Sequence, residues 1–168
     1  MKQIETPLSE ETISSLKVGD IVSISGYIFC GRDAVLPRIC KEIKDGSWGR
    51  RGIELKGGVI FHTAVSPAGV GPTSSNKLEI ESSFETLSAA GIKMHLGKGA
   101  IKPETVKTLN ESNSVFAIIP PVTALLESQT LEHECVAFPE LGMEALYRIK
   151  VENYQAIIAA AKGESIYE

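Results

Sequence analysis

The 168-residue chain is poor in aromatic residues, at 6% with a single tryptophan, and it has no basic excess. Its 17 Lys and Arg are outnumbered by 21 Asp and Glu, for a net charge of −4. A protein that grips nucleic-acid backbones regardless of sequence needs a basic footprint, so that class is set aside. No apolar run reaches about 18 residues, the length a membrane-crossing helix requires. The opening stretch MKQIETPLSEETISSL lacks an apolar signal core, which argues against secretion and for a cytoplasmic chain. No internal repeat and no linker-like Pro/Gly/Ser tract is evident, so residues 1–168 are expected to form one domain. Cysteine is also scarce: Cys30, Cys40 and Cys135. An odd number at wide spacing does not make a disulfide framework. Three is enough to hold an iron–sulfur cluster by three corners, but cluster ligands normally include a tight Cys-x-x-Cys pair. Here the gaps are ten and ninety-five positions. The three thiols are therefore read as buried or incidental, and no metal site is assigned to the chain. His62, His95 and His133 show no ligand spacing either. The first two lie in apolar strand contexts and read as core or edge histidines; His133 reads as a loop residue.

What is present is an ordinary globular balance, 43% hydrophobic and 23% charged. That supplies a core and is too little charge for disorder. Ser9 before Glu10 and Glu11 marks a helix start, because the hydroxyl can cap and the acids suit the first turn. Residues 21–28 alternate apolar and polar and predict a strand. Apolar residues recur at helical spacing over 34–44, with Pro37 tolerable only in the first turn. Residues 46–51 form a turn holding Trp48. Buried strands are expected at 58–62, 92–96 and 115–119. Helices are expected at 83–90, closed by Gly91, at 103–112, with Pro103 near its start, and at 122–128. Residues 63–77 include Gly69-Val70-Gly71-Pro72 and are expected to be a long loop, of the kind that commonly carries function. Segments 135–138, 145–151 and 156–160 read as further strands. Alternating strands and helices predict the α/β class with a mixed sheet.

Three short polar segments follow predicted strands. They are Gly31-Arg32-Asp33, Gly71-Pro72-Thr73-Ser74-Ser75-Asn76-Lys77 and Gly97-Lys98-Gly99. Ligands in open α/β folds collect beyond the carboxyl ends of strands. Glycines there let the backbone approach an anion, and N–H groups at a helix start favour negative charge. Arg32, Lys77 and Lys98 add three cations, a set that suits a small carboxylate or phosphate. Any one segment alone reads better as a solvated turn with an exposed base; three of one type together make a shared anion site the better account. Gly97-Lys98-Gly99 is not a phosphate-binding P-loop, because its spacing from Gly91 is one residue too long and Gly99 stands where Ser or Thr is required. Gly69-Val70-Gly71 lacks the third glycine of a dinucleotide fingerprint. No Ser–His–Asp order stands out.

The order of certain segments is more specific than any one of them. Val18-Gly19-Asp20 is followed by Arg32-Asp33-Ala34 with Arg38, Gly71-Pro72-Thr73-Ser74 and Gly97-Lys98-Gly99. The run Glu140-Leu141-Gly142-Met143-Glu144-Ala145-Leu146 and Val151-Glu152-Asn153 complete it. In this the chain resembles the beta subunit of the iron–sulfur, class I fumarate hydratases and L(+)-tartrate dehydratases, which corresponds to the C-terminal domain of the single-chain enzymes. The likeness runs from about Val18 to Asn153. It implies a swivelling three-layer β/β/α domain and an active site shared with a partner. A separate alpha subunit would hold a 4Fe–4S cluster through three cysteines of its own, with one iron open as a Lewis acid. The implied reaction is reversible hydration of fumarate to malate, or dehydration of tartrate to oxaloacetate.

The resemblance also implies roles. Arg32 would bind a substrate carboxylate bidentately. Thr73 matches the first threonine of a Gly-Pro-Thr-Thr segment and would be the base that removes the C3 proton. A threonine hydroxyl is a poor base unless cations stabilise its alkoxide, which Arg32 would do. Lys98 would add a cation to the dicarboxylate, and Asp33 and Gly71 belong to the matched substrate-binding segments. Lys77 stands where the family usually has arginine, keeping the charge without the planar fork. Ser74 replaces the second threonine, Leu36-Pro37 replaces a frequent histidine, and Ala100 replaces an often polar residue. These departures bear on substrate preference. The plainer role for Thr73 is a loop hydroxyl capping the next helix. A different class of function also fits the basic, glycine-rich segments: a module that binds a small dicarboxylate without turnover.

Overall fold

In the computed structural model of the chain, the described residues are 1–66, 69–73, 77–119 and 130–166. A short strand β1 (Lys2–Glu5) leads to helix α1 (Glu10–Ser15), whose start is capped where the Ser9 hydroxyl accepts from the Thr12 N–H at 3.1 Å. Strand β2 (Ile21–Cys30) is followed by α2 (Leu36–Asp45). Pro37 sits in the first turn of α2, where its missing N–H costs nothing, and Gly46 ends the helix in a left-handed conformation. A turn of 3-10 helix (Trp48–Arg51) leads to β3 (Val59–Phe61), β4 (Thr63–Ser66), β5 (Gly69–Thr73) and helix α3 (Lys77–Ala89). Then come β6 (Met94–Gly97), α4 (Pro103–Glu111), β7 (Val115–Ile118), β8 (Thr130–Ala137), a second 3-10 segment (Pro139–Glu144), the long β9 (Leu146–Ala161) and β10 (Glu164–Ser165). The class is α/β with a mixed sheet, as the alternation predicts.

Five strands pair in a closed ring. β2, β3, β6 and β7 run parallel in that order. β9 then pairs antiparallel with β7 on one side and β2 on the other. β1 lies beside the first half of β2, β8 beside the first half of β9, and β10 at its end. One core fills the ring: Ile24, Ile28, Phe61, Leu96, Ile149 and Tyr154 are among its members. The alternate residues of the same strands face outward. Phe29 and Ile60 pack with Leu36 and Ile39 of α2 and Leu87 of α3. Phe116 and Ala159 pack with Phe84 of α3 and with Val106 and Leu109 of α4. Period-2 alternation thus feeds an inner and an outer core from the same strands, giving two strand walls and a helical layer.

The structure differs from the expected elements in several places, among them β8, which begins at Thr130 and not at 135, and the unexpected short strands β1 and β10. Segments 145–151 and 156–160 are one strand, β9, interrupted by a bulge near Asn153 and by a second register shift against β7 near Ala159. Its register against β2 shifts between Ile24 and Gly26, and Asn153 adopts a left-handed φ of 56°. The bulge resets the side-chain parity, so that Ile149 and Val151 face the inner core before it and Tyr154, Ala156 and Ile158 after it. In sequence, Glu152-Asn153 looks like a turn; in the fold its polar groups meet β2. The Asn153 N–H donates to Ser25 Oγ at 3.1 Å, and the Ser23 hydroxyl donates to Asn153 Oδ1 at 3.2 Å. Gly26 opposite the bulge has a φ of 111°, and a Cβ there would run into Thr6.

Residues 63–77 are not one long loop. They include the β4–β5 hairpin, with Thr63 paired to Thr73 and Val65 to Val70 across a register shift. The glycines and Pro72 suggested a loop, but a two-stranded ribbon with an irregular register tolerates a residue without an N–H. Helix α3 starts at Lys77, earlier than the expected 83. His133 lies on β8, exposed, and not on a loop. The helix expected over 122–128 lies outside the described residues. Asn153→Ala should destabilise the fold by about 1–2 kcal/mol, since a Cβ-bearing residue without a polar side chain is disfavoured in the left-handed region and the Ser23 bond is lost. Asn153→Gly should cost less than Asn153→Ala. Urea midpoints of the two variants give the comparison.

Candidate functional site

The parallel strands β2, β3, β6 and β7 end on one edge of the ring, and the ladder continues one residue past them. The Gly31 N–H donates to the Phe61 carbonyl at 3.0 Å, the His62 N–H to the Leu96 carbonyl at 3.0 Å, and the Ile119 N–H to the Gly97 carbonyl at 3.1 Å. These bonds carry Arg32-Asp33, Thr63 and Lys98-Gly99 onto a single rim. Thr73 joins them through its pairing with Thr63 at the foot of the β4–β5 hairpin. Lys77 follows as the first residue of α3. Gly71 lies within β5, and Ser74 to Asn76 lie outside the described residues, as do the side chains of Thr73 and Lys77. Five of the six expected site residues therefore lie at the rim or at the helix start beside it, with Gly71 farther along the hairpin.

Arg32 is held in place. Its Nε donates to Glu144 Oε2 at 2.6 Å, with both side chains about a quarter exposed. Such a partly exposed pair contributes at most about 1 kcal/mol to stability, so its main effect is to orient the guanidinium. The segment that presents Glu144 is itself anchored. Arg38 Nη1 donates to Glu140 Oε2 at 3.2 Å. The Arg51 guanidinium lies 4.1 Å from the centre of the Phe138 ring. The Tyr147 hydroxyl donates to the Gly142 carbonyl at 3.1 Å. Gly142 takes φ 60° and ψ −124°, a conformation that L side chains avoid, and so turns the chain to deliver Glu144. Asp33 is half-buried in the turn that opens α2, where the Val35 and Leu36 N–H groups both donate to the Arg32 carbonyl at 3.1 Å. Lys98 is exposed beside Gly99, whose φ is 74°. Sequence reasoning missed Glu144 as a site residue. It stands in the matched run 140–146, but a pair 112 positions apart leaves no local signal.

Behind the rim lie His62 and His95, both fully buried as expected of core histidines. His62 Nε2 and His95 Nδ1 are 3.3 Å apart, and Ser88 Oγ lies 2.9 Å from His95 Nε2. Phe84 stacks on His95 at 4.2 Å between ring centres. Burial first, and the neighbouring His62 second, hold the His95 imidazole well below the usual histidine range. The cysteines are scattered. Cys30 faces the inner core, and burial pushes its thiol far above the ordinary range. Cys40 packs in the outer core, where burial likewise raises its thiol, and Cys135 is exposed on β8. Cys30 and Cys40 belong to different cores and Cys135 lies on the surface, so these three thiols do not make a cluster site. Among the described residues no group of three His, Cys, Asp or Glu side chains could hold a metal ion. A groove of about 570 Å³ between α2 and α3 is lined by Pro37, Cys40, Lys41, Lys44 and Ser83 among others, and does not include Arg32, Asp33 or Lys98. No helix of the described residues is long and apolar enough to cross a membrane.

Known proteins resemble the whole chain. The family model described as Fumarase C-terminus matches residues 2–168. A Methanocaldococcus jannaschii protein named "Putative L(+)-tartrate dehydratase subunit beta" is 31% identical over 96% of this chain and 88% of its own length. The L(+)-tartrate dehydratase subunit beta of Escherichia coli is 27% identical over 95% of this chain and 82% of its own length. The anaerobic class I fumarate hydratase of Escherichia coli is 31% identical over the full chain, but the match takes in 31% of that larger protein. The chain thus spans most of the beta subunits and about a third of the single-chain hydratases.

The buried His95 generates a pH dependence. In the unfolded chain its imidazole takes up a proton near the ordinary value of about 6.5, whereas the folded chain holds it neutral to lower pH. Stability from this source is complete above about pH 6.5 and is lost as pH falls below it, at up to about 1.4 kcal/mol per pH unit. Urea midpoints should therefore drop between about pH 7 and pH 5.5, and His95→Gln should flatten the slope. An unchanged slope in that variant would remove His95 as its source.

Proposed function

Because the chain belongs to the fumarase C-terminus family, we propose that it is the beta subunit of a two-subunit hydro-lyase that hydrates fumarate reversibly to malate. The observation that carries this reading is the rim itself. Arg32, oriented by Glu144, shares one edge with Lys98 and with the foot of the hairpin that bears Thr73. This is a cationic half-site in a chain whose own cysteines do not converge. The 4Fe–4S cluster is accordingly assigned to a partner alpha subunit, and its Lewis acidity would be that subunit's contribution.

Within this chain the work divides by chemistry. Arg32 grips one substrate carboxylate with a charge-assisted, geometrically fixed hydrogen bond, which sets the orientation of the carbon chain. Lys98 and Lys77 supply positive charge for the dicarboxylate. The Thr73 hydroxyl takes the C3 proton in the dehydration direction and returns it in hydration. Its alkoxide form is stabilised by the Arg32 charge at the same rim. Asp33 and the Gly71 backbone complete the substrate-binding set. Two observations favour L(+)-tartrate as an alternative substrate. The relatives of matching length are named as tartrate dehydratase beta subunits, whereas the named fumarate hydratases are about three times longer.

Mixed anaerobically with a cluster-loaded alpha subunit, the chain should hydrate fumarate or dehydrate L(+)-tartrate, and parallel assays on both substrates decide between them. Alone it should be colourless and inactive; a stoichiometric cluster on the isolated chain would overturn the division of labour. In the reconstituted enzyme, Thr73→Ala should lower kcat by about 100-fold or more with little change in KM. Arg32→Ala loses a charge-assisted bond of about 1.5–3 kcal/mol and should raise KM about 10- to 100-fold. Substrate binding without turnover in the complete complex would instead favour a non-catalytic binding module.

A further inference from the structure

We propose that the buried His62–His95 pair is a positioning element of the candidate active site, locking the foot of the β4–β5 hairpin to the strand that leads to Lys98 and to helix α3. The inference rests on the reading of the rim as that site. Three segments that feed the rim converge here. His62 is the residue between β3 and β4, immediately before Thr63, whose strand partner is Thr73. His95 lies on β6, three residues before Lys98. Ser88 and Phe84 lie on α3, the helix that begins at Lys77. The contacts join all three segments: 3.3 Å between the imidazoles, 2.9 Å from His95 to the Ser88 hydroxyl, and the Phe84 ring 5.2 Å from His62 and 4.2 Å from His95.

The chemistry makes this junction directional. A neutral imidazole has one donor nitrogen and one acceptor nitrogen. With both rings neutral, only two arrangements satisfy the chain from Ser88 to His62. Either the Ser88 hydroxyl donates to His95 Nε2 and His95 Nδ1–H donates to His62 Nε2, or both bonds run the other way. A protonated His95 would instead donate both ways, to Ser88 Oγ and to His62 Nε2, and the chain would lose its single direction. Burial and the mutual repulsion of the rings disfavour that charged form, in keeping with the lowered His95 value. An apolar pair would fill the same volume without fixing the angle between β3, β6 and α3. The parts of the rim that must meet a substrate with sub-ångström accuracy depend on that angle, and misplacement by about 1 Å costs about 100-fold in rate.

Hydrogen exchange tests the lock on the chain alone. His62→Phe keeps an aromatic ring against Phe84 but removes the hydrogen bond. It should speed exchange of the Thr63–Thr73 hairpin amides about tenfold while leaving β2 and β9 amides unchanged. His62→Gln, whose amide nitrogen can donate to His95 Nδ1, should restore exchange to within about threefold of the parent. In the reconstituted complex, His62→Phe should lower kcat about tenfold or more with KM nearly constant, and the Gln variant should recover most of it. Parental exchange and kcat in a folded His62→Phe protein would overturn the proposal. So would equal losses in Phe and Gln variants, which would mark simple packing. Should His62→Phe fail to fold, Ser88→Ala removes only the far end of the chain and should give a smaller acceleration confined to the same amides. No acceleration there would equally overturn it. If the parental complex turned over neither substrate, the functional reading would fail, and the exchange results would still decide the lock.

Discussion

The fold depends on β9 pairing with two strands that are not each other's neighbours. By joining β2 on one side and β7 on the other, it turns a four-stranded parallel sheet into a closed ring. A strand of 16 residues in one register cannot keep its apolar face inward around such a curve. The bulge at Asn153 shifts the parity, so that Ile149 and Val151 before it and Tyr154, Ala156 and Ile158 after it face the same inner core, and a second register shift near Ala159 brings Ala161 inward. Gly26 on β2 accepts the close approach of Thr6 that follows from the bend. The inner core and the outward face for α2 to α4 are consequences of that closure.

The rim is the product of parallel order. Four strands with the same direction deliver their carboxyl ends to one edge, and backbone bonds at Gly31, His62 and Ile119 hold those ends level. Arg32 is then oriented from outside the parallel set, by Glu144 on a segment that Gly142 bends and that Arg38 and Arg51 pin. The assembled groups are cations, a hydroxyl-bearing hairpin and glycine-rich backbone, which suits a small dianion.

Local signals carried much of the architecture into the sequence. The Ser9 cap, Pro37 in the first turn of α2, and the strands β2, β6 and β7 were legible because each depends on neighbours within a few residues. The positions of Arg32 and Lys98 just beyond strand ends were legible because each follows directly on a strand marked by its own apolar run. The hairpin was hidden by its glycines and Pro72, which suggest a loop unless the partner strand is known. The unity of β9 was hidden by Glu152-Asn153, a turn-like pair that becomes a bulge only when Ser23 and Ser25 of β2 face it. His133 sat in a polar stretch, yet pairing with β9 makes it part of a strand.

The sequence by itself determined the class of the fold, the burial of His62 and His95, the family, and which residues bear charge beyond the strand ends. Those properties follow from composition, periodicity and motif order, which are local or additive. The tertiary structure alone decided that β9 closes a ring, that Glu144 grips Arg32 from 112 positions away, and that His62, His95 and Ser88 meet behind the hairpin. Each of these is a contact between segments distant in the chain. Its geometry exists only after burial of the two cores has offset the entropy lost in bringing those segments together.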